Sequence, residues 1–134
     1  MKKENNIVFN YNMANPIADL PNNTPTDIPG TSVLLPPGSY KYTACISLFC
    51  DRGAADGTTE TMEGYAYLGS VQIQYKVFQL VVSGQADVEA EVVLLGKFVL
   101  LTSTIFKLQG AIALTGTVSH RNITSATLII EKVN

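Results

Sequence analysis

From Thr31 onward, apolar and polar residues alternate almost without a break. A period of two sets successive side chains on opposite faces of a strand, whereas a helix needs a period near 3.6, and no window of this chain supplies one. Over 39–49, Tyr40, Tyr42, Ala44, Ile46 and Leu48 fall on one face and Lys41, Thr43, Cys45 and Ser47 on the other. Over 86–95 the pattern sends Val88, Ala90, Val92 and Leu94 inward against Asp87, Glu89 and Glu91. Residues 65–82 read as two strands broken near Gly69-Ser70, with Val71, Ile73, Tyr75 and Val77 on one side. Further strands are expected at 32–35, at 58–62 as a short edge, and at 98–106, 111–119 and 123–133. Turns are expected at Pro36-Pro37-Gly38, Ser83-Gly84, Gly96-Lys97 and Gln109-Gly110, and loops at 51–57 and 119–122. About eight short strands, with turns roughly every 8–12 residues, describe an all-β antiparallel sandwich of jelly-roll type.

The first thirty residues break this pattern. All six prolines lie between Pro16 and Pro37. Proline lacks a ladder donor and pushes the preceding residue toward extended conformations, so it stays out of central strands. Residues 1–30 therefore read as an extended Pro- and Asn-rich arm, and 31–134 as the sandwich body. One β-prone island interrupts the arm, and its Ile7, Val8, Phe9 and Tyr11 are the expected docking anchors. The island is expected to fold back on its own body, to add a strand to a neighbour, or to stay disordered.

Composition narrows the function classes. Charged residues are only 15 % of the chain, so Thr, Ser, Asn, Gln and Gly must cover much of the surface, as suits a protein that packs against its own copies. A formal charge of −2 with scattered Lys and Arg argues against nucleic acid as a partner. No run approaches the roughly 20 apolar residues of a membrane-spanning helix. Met1-Lys2-Lys3-Glu4-Asn5-Asn6 is followed by no apolar segment, so a secretory signal is not expected.

No set of residues announces a reaction, and the chain is expected to be no enzyme and to use no cofactor or metal. His120, the single histidine, reads as a solvated loop residue, since no nucleophile pattern accompanies it. Asp51, Asp56 and Glu60 are spaced like oxygen ligands for calcium but match no defined loop, and Arg52 competes for them. Asp87, Glu89 and Glu91 read as a solvated strand face that discourages edge aggregation. Cys45 and Cys50 read as buried free thiols or as a cross-link between subunits; five positions apart on a strand, they face opposite ways. Tyr40, Tyr42, Tyr65, Tyr67 and Tyr75 suit core and interface packing, or stacking on sugars in a ligand-binding jelly roll or the receptor-binding head of a fibre.

The closing segment Thr124-Ser125-Ala126-Thr127-Leu128-Ile129-Ile130-Glu131-Lys132-Val133-Asn134 resembles the last strand of the head domain of the collagen-like exosporium glycoproteins of spore-forming bacilli. Pro36-Pro37-Gly38-Ser39-Tyr40-Lys41-Tyr42 resembles the approach to an inner strand in such heads. The resemblance implies a jelly roll of the tumour-necrosis-factor and complement type that assembles as a homo-oligomer, a trimer above all. It also implies a structural protein of the spore surface, in exosporium or coat, with other spore-surface proteins as partners. Such a protein is made in the mother-cell cytoplasm and needs no signal peptide. The residues show no collagen-like Gly-Xaa-Yaa repeat, and the arm does not resemble the leader of those glycoproteins, so the arm is expected to make the connection to the layer.

Overall fold

The computed structural model describes residues 5–52, 58–82, 87–114 and 118–133. Within them run β1 (Asn5–Asn12), β2 (Thr26–Asp27), β3 (Val33–Leu35), β4 (Gly38–Arg52), β5 (Thr58–Leu68), β6 (Val71–Val82), β7 (Asp87–Leu100), β8 (Thr104–Leu114) and β9 (Val118–Val133). One sheet has the order β1-β9-β4-β7; the other has β2-β8-β5-β6, with β3 also pairing β8. Every ladder is antiparallel. The pairs β1:β9, β2 and β3:β8, β4:β7 and β5:β6 are nested, as in one long hairpin rolled up until β4 meets β9 and β5 meets β8. That is a jelly roll: an antiparallel ribbon wound into two facing sheets.

The alternation read along β4 sets the core. Tyr40, Tyr42, Ala44, Ile46, Leu48 and Cys50 are all buried, facing Met62, Ala66, Phe106, Leu108 and Ile112 of the second sheet. Burying an aliphatic side chain of this size stabilises by about 1.5–3 kcal/mol. Val92 and Leu94 of β7 are buried as expected, and Val88 and Ala90 pack against the core. At one end Tyr40, Tyr42, Phe98 and Phe106 form an aromatic cluster with ring centroids 5.1–6.0 Å apart. The Tyr42 hydroxyl leaves this cluster to donate to the Gln74 side chain on β6.

Several expectations need correction. Gly96-Lys97 is no turn: β7 runs straight through it, and the chain reverses at 101–103. Gly96 stands opposite Tyr42, whose ring a Cβ there would meet at 3.1 Å. Gln109-Gly110 likewise lies inside β8, where a Cβ on Gly110 would come within 2.9 Å of Ile123 Cδ1 from the other sheet. Both glycines serve close packing, not chain reversal. Residues 119–122, expected as a loop, belong to β9. The segment 58–62, expected at an edge, starts the central strand β5, between β8 and β6. On β6 the single apolar side is split: opposite Ala66 and Tyr67 the register shifts by one, so Tyr75 and Val77 share the outer face with Gln72 while Val71 stands opposite Leu68.

The arm is part of the sandwich. β1 pairs along its length with β9 of its own chain, and β2 pairs with β8. Between them Ile17 bridges Ile123, and Leu20 and Ile28 are buried in the core. The Thr31 hydroxyl, also buried, donates to Ile28 O at 2.8 Å and accepts from Leu108 N at 3.1 Å. The proline argument holds in a narrower form. β1 and β2 are edge strands; Pro16, Pro21 and Pro25 occupy the crossover between the two sheet edges, Pro29 follows β2, and Pro36 and Pro37 lie between β3 and β4.

Candidate functional surfaces

Two outer faces carry the features that core formation leaves unexplained. The first is the outside of the four-stranded sheet. The odd-numbered residues of β4 point outward there, and the ladders place neighbours beside them. Thr43 lies between Leu95 and Ile129, and Cys45 between Val93 and Thr127. Leu95 is 62 % exposed, and Val93 and Ile129 are exposed as well. The middle of this face therefore holds apolar and uncharged groups in water. Its two ends carry opposite charge. At one end Lys41 stands between Lys97 and Glu131, with Lys41 Nζ 3.6 Å from Glu131 Oε2. At the other, Glu91, Glu89 and Asp87 follow one another on β7. A cavity of about 390 Å³ opens beside them, lined by Ser47, Leu48, Glu89, Ala90, Glu91, Thr124 and Ser125.

The second is the outside of the five-stranded sheet. Register sets Tyr75, Tyr65, Gln109 and Asp27 in one row across β6, β5, β8 and β2. Tyr67 and Lys107 lie in the next row, and Glu63 and Val77 in the row on the other side. Glu63 is only 8 % exposed, although it points away from the core. It accepts from the Tyr65 hydroxyl at 2.6 Å, the Tyr75 hydroxyl at 3.2 Å and the Thr61 hydroxyl at 3.4 Å. The Tyr65 ring packs 5.0 Å from Tyr75 and 6.4 Å from Tyr67. Burial, then the hydrogen bond and charge of Glu63, push the Tyr65 hydroxyl well above the usual phenol range, so it stays a donor. Tyr75 moves the same way, from burial first and then Glu63. At the rim Lys107 Nζ lies 5.5 Å from the Tyr67 ring centre and 3.2 Å from Asp27 Oδ1. Gln109 Nε2 donates to the same oxygen at 2.6 Å. That hydrogen bond, with the Lys107 bond and charge behind it, holds the Asp27 carboxyl below its ordinary range against a smaller burial effect.

The other expected site residues are scattered. Phe9 and Tyr11 of the N-terminal island turn inward and pack on the core, and the Tyr11 hydroxyl donates to Pro29 O at 2.5 Å. Ile7 and Val8, at a register shift, stay exposed. Cys50 is fully buried in the core, which removes it as a cross-link to another subunit. Cys45 is half-exposed on the apolar face, its thiol pushed up in pKa by burial and by Glu91. His120 lies in β9 opposite Asp51, and its Nδ1 is 2.9 Å from Asp19 Oδ1. Of the expected calcium ligands, Asp56 and the side chain of Glu60 lie outside the described residues. The turn at Ser83-Gly84 does too. Among the described residues no group of three His, Cys, Asp or Glu side chains converges on a metal position.

Of the five tyrosines expected to pack or to stack on sugars, Tyr40 and Tyr42 are buried in the core and Tyr65, Tyr67 and Tyr75 share this outer face, while sequence reasoning missed Glu63. Its signal was available, since Thr61, Glu63, Tyr65 and Tyr67 alternate and must share a face of one strand.

No protein-family model matches this chain, and no curated protein matches it. Among solved structures, a chain in the structure of the infectious bursal disease virus Gx strain aligns with a TM-score of 0.56 at 10 % identity. The match covers 96 % of this chain and 33 % of that one, so this chain spans about a third of the viral chain's length. At that identity the likeness concerns the fold, and it agrees with the jelly roll built above.

Proposed function

We propose that this chain is a non-enzymatic structural protein that self-assembles through the outer face of its four-stranded sheet, as a subunit of a bacterial spore-surface layer. One observation carries the self-assembly. The apolar middle of the face separates a lysine end from a carboxylate end on the same strands. Lys97 and Glu91 are about 20 Å apart along β7 at the rise of a strand. A second copy laid on this face with its strands reversed sets its lysine end over the first copy's acidic end, and the reverse. Each lysine then meets carboxylates beside the 390 Å³ cavity, and Leu95, Val93 and Ile129 are covered. Such a contact is isologous and closes as a two-fold pair.

The three-fold head implied by the spore-surface resemblance uses contacts of the heterologous kind. The charge pattern favours the two-fold contact, and three-fold order, if present, is built by other surfaces. The spore-surface setting rests on the resemblance of the segment from Thr124 to Asn134 and on nothing in the geometry. The test of the assembly is the native mass of the protein and its response to Leu95→Lys, which sets a charge in the middle of the face. The test of the setting is immunolocalisation of the protein in sporulating cells; signal confined to the spore surface supports it, and signal elsewhere removes it.

A further inference from the structure

The tyrosines on the opposite sheet have a use that self-assembly does not require. Tyr65 lies two residues from Glu63 on one strand, so its 2.6 Å hydrogen bond to that carboxylate holds the ring along the strand instead of off the sheet. Tyr75 is tied to the same carboxylate from the neighbouring strand, and Tyr67 packs against Tyr65. Three aromatic rings are thus fixed side by side on a sheet surface, with little rotamer freedom left to lose. Around them stand planar hydrogen-bonding groups: the carboxylate of Asp27 and the amides of Gln109 and Gln72.

We propose that this platform binds a neutral saccharide. A pyranose ring has an apolar C–H face, which suits a tyrosine ring, and an edge of hydroxyls, which suits planar amide and carboxylate groups. Neutrality follows from the charges on the platform. Lys107 is paired with Asp27 at 3.2 Å, which leaves it committed, and Glu63, only 8 % exposed beneath the hydroxyls that donate to it, does not offer its carboxylate to a ligand. A charged sugar would bring a charge for which the platform holds no spare counter-charge. The occupant is a saccharide and not a second copy because Val77 is the one exposed aliphatic residue of these rows, Ala111 beside Glu63 being fully buried, and it stands among amides, hydroxyls and a lysine–aspartate pair. The copy-binding face on the other sheet is apolar through its middle.

The test is an amide-resolved NMR titration of the isotope-labelled protein with glucose, galactose, mannose and N-acetylglucosamine, and with their short linear oligomers. Binding is expected in the millimolar range or tighter, with shifts gathered at residues 63–67, 72–75 and 107–109. Tyr67→Ala is expected to weaken it about tenfold, the loss of one aromatic stack. Tyr67→Phe keeps the ring and is expected to keep most of the affinity, which separates stacking from misfolding. Lys107→Gln, a second variant at the rim, leaves the rings in place and is expected to weaken binding only a few-fold. No shift at about 10 mM of any sugar, tenfold above a millimolar Kd, overturns the proposal. So do shifts that map elsewhere. So does broadening of these amides with protein concentration alone, which would make the platform a contact between copies.

Discussion

Cys45 and Val93 face each other across β4 and β7 on the outer surface of the four-stranded sheet, one residue from the level midway between the lysine and carboxylate ends. In a reversed two-fold stack, each Cys45 comes beside its counterpart's half of the face. The geometry still keeps the two sulfurs apart. Stacked sheets sit about 10 Å from each other, and a disulfide needs Cα atoms within about 7 Å.

The thiols should therefore report assembly without taking part in it. Cys45 is expected to react with a thiol reagent in the native protein, slowly near neutral pH because its pKa is raised. Cys50, fully buried, is expected to react only on unfolding. The Cys45 rate should fall as protein concentration rises and the pair forms. Kinetic labelling followed by mass spectrometry reads both sites; Cys50 reacting as fast as Cys45 would contradict the buried position.

The tie between the crossover and β9 should titrate. The hydrogen bond that the protonated His120 Nδ1 donates to the Asp19 carboxylate raises the His120 pKa above its ordinary 6.5; a lesser desolvation effect opposes it, and the charges of Asp19 and Asp51 add to it. A histidine raised in the folded state contributes stability that is complete below pH 6.5 and disappears as pH climbs through the raised value. An NMR titration of His120 should give a pKa above 6.5, falling toward it in Asp19→Asn. An unshifted wild-type value would break the pairing.

Much of the fold was legible because one principle governs most of it. The period of two correctly assigned the buried faces of β4 and β7, from Tyr40 to Leu48 and from Val88 to Leu94. It failed where glycine was read as punctuation. Gly96 and Gly110 look like turns in sequence, yet each is fixed by a side chain distant in the chain, Tyr42 and Ile123 respectively. The arm's fold-back was one of the readings the sequence left open, and its β1:β9 pairing takes that one; how deeply the arm enters the core was not legible. Its prolines exclude central strands but permit edges, and nothing local to Leu20 or Ile28 states that they fill the core. The tyrosine platform was half legible: alternation groups Tyr65, Tyr67 and Glu63, but Tyr75, Lys107 and Asp27 join them only through ladders between distant strands.

That account of glycine makes its own prediction. Gly110→Ala drives a Cβ toward Ile123 Cδ1, which must then shift within a fully buried setting, and should destabilise by roughly 1–3 kcal/mol. Ile123→Val deletes that methyl. In its background the Gly110 substitution should cost less by about 1 kcal/mol. Denaturant melts of the four proteins close the cycle; strict additivity would mean the two sheets do not meet where β8 and β9 pack.

The central claim concerns the four-stranded sheet, and the mass of the native particle across a dilution series tests it most directly. Analytical ultracentrifugation should show a particle of twice 14.4 kDa that dissociates on dilution, weakens with salt as the end charges are screened, and is indifferent to reductant. Leu95→Lys should leave a folded monomer at concentrations where the wild type is paired. A wild-type monomer at every concentration up to about 1 mM, a three-fold mass, or a pair unmoved by Leu95→Lys would contradict it.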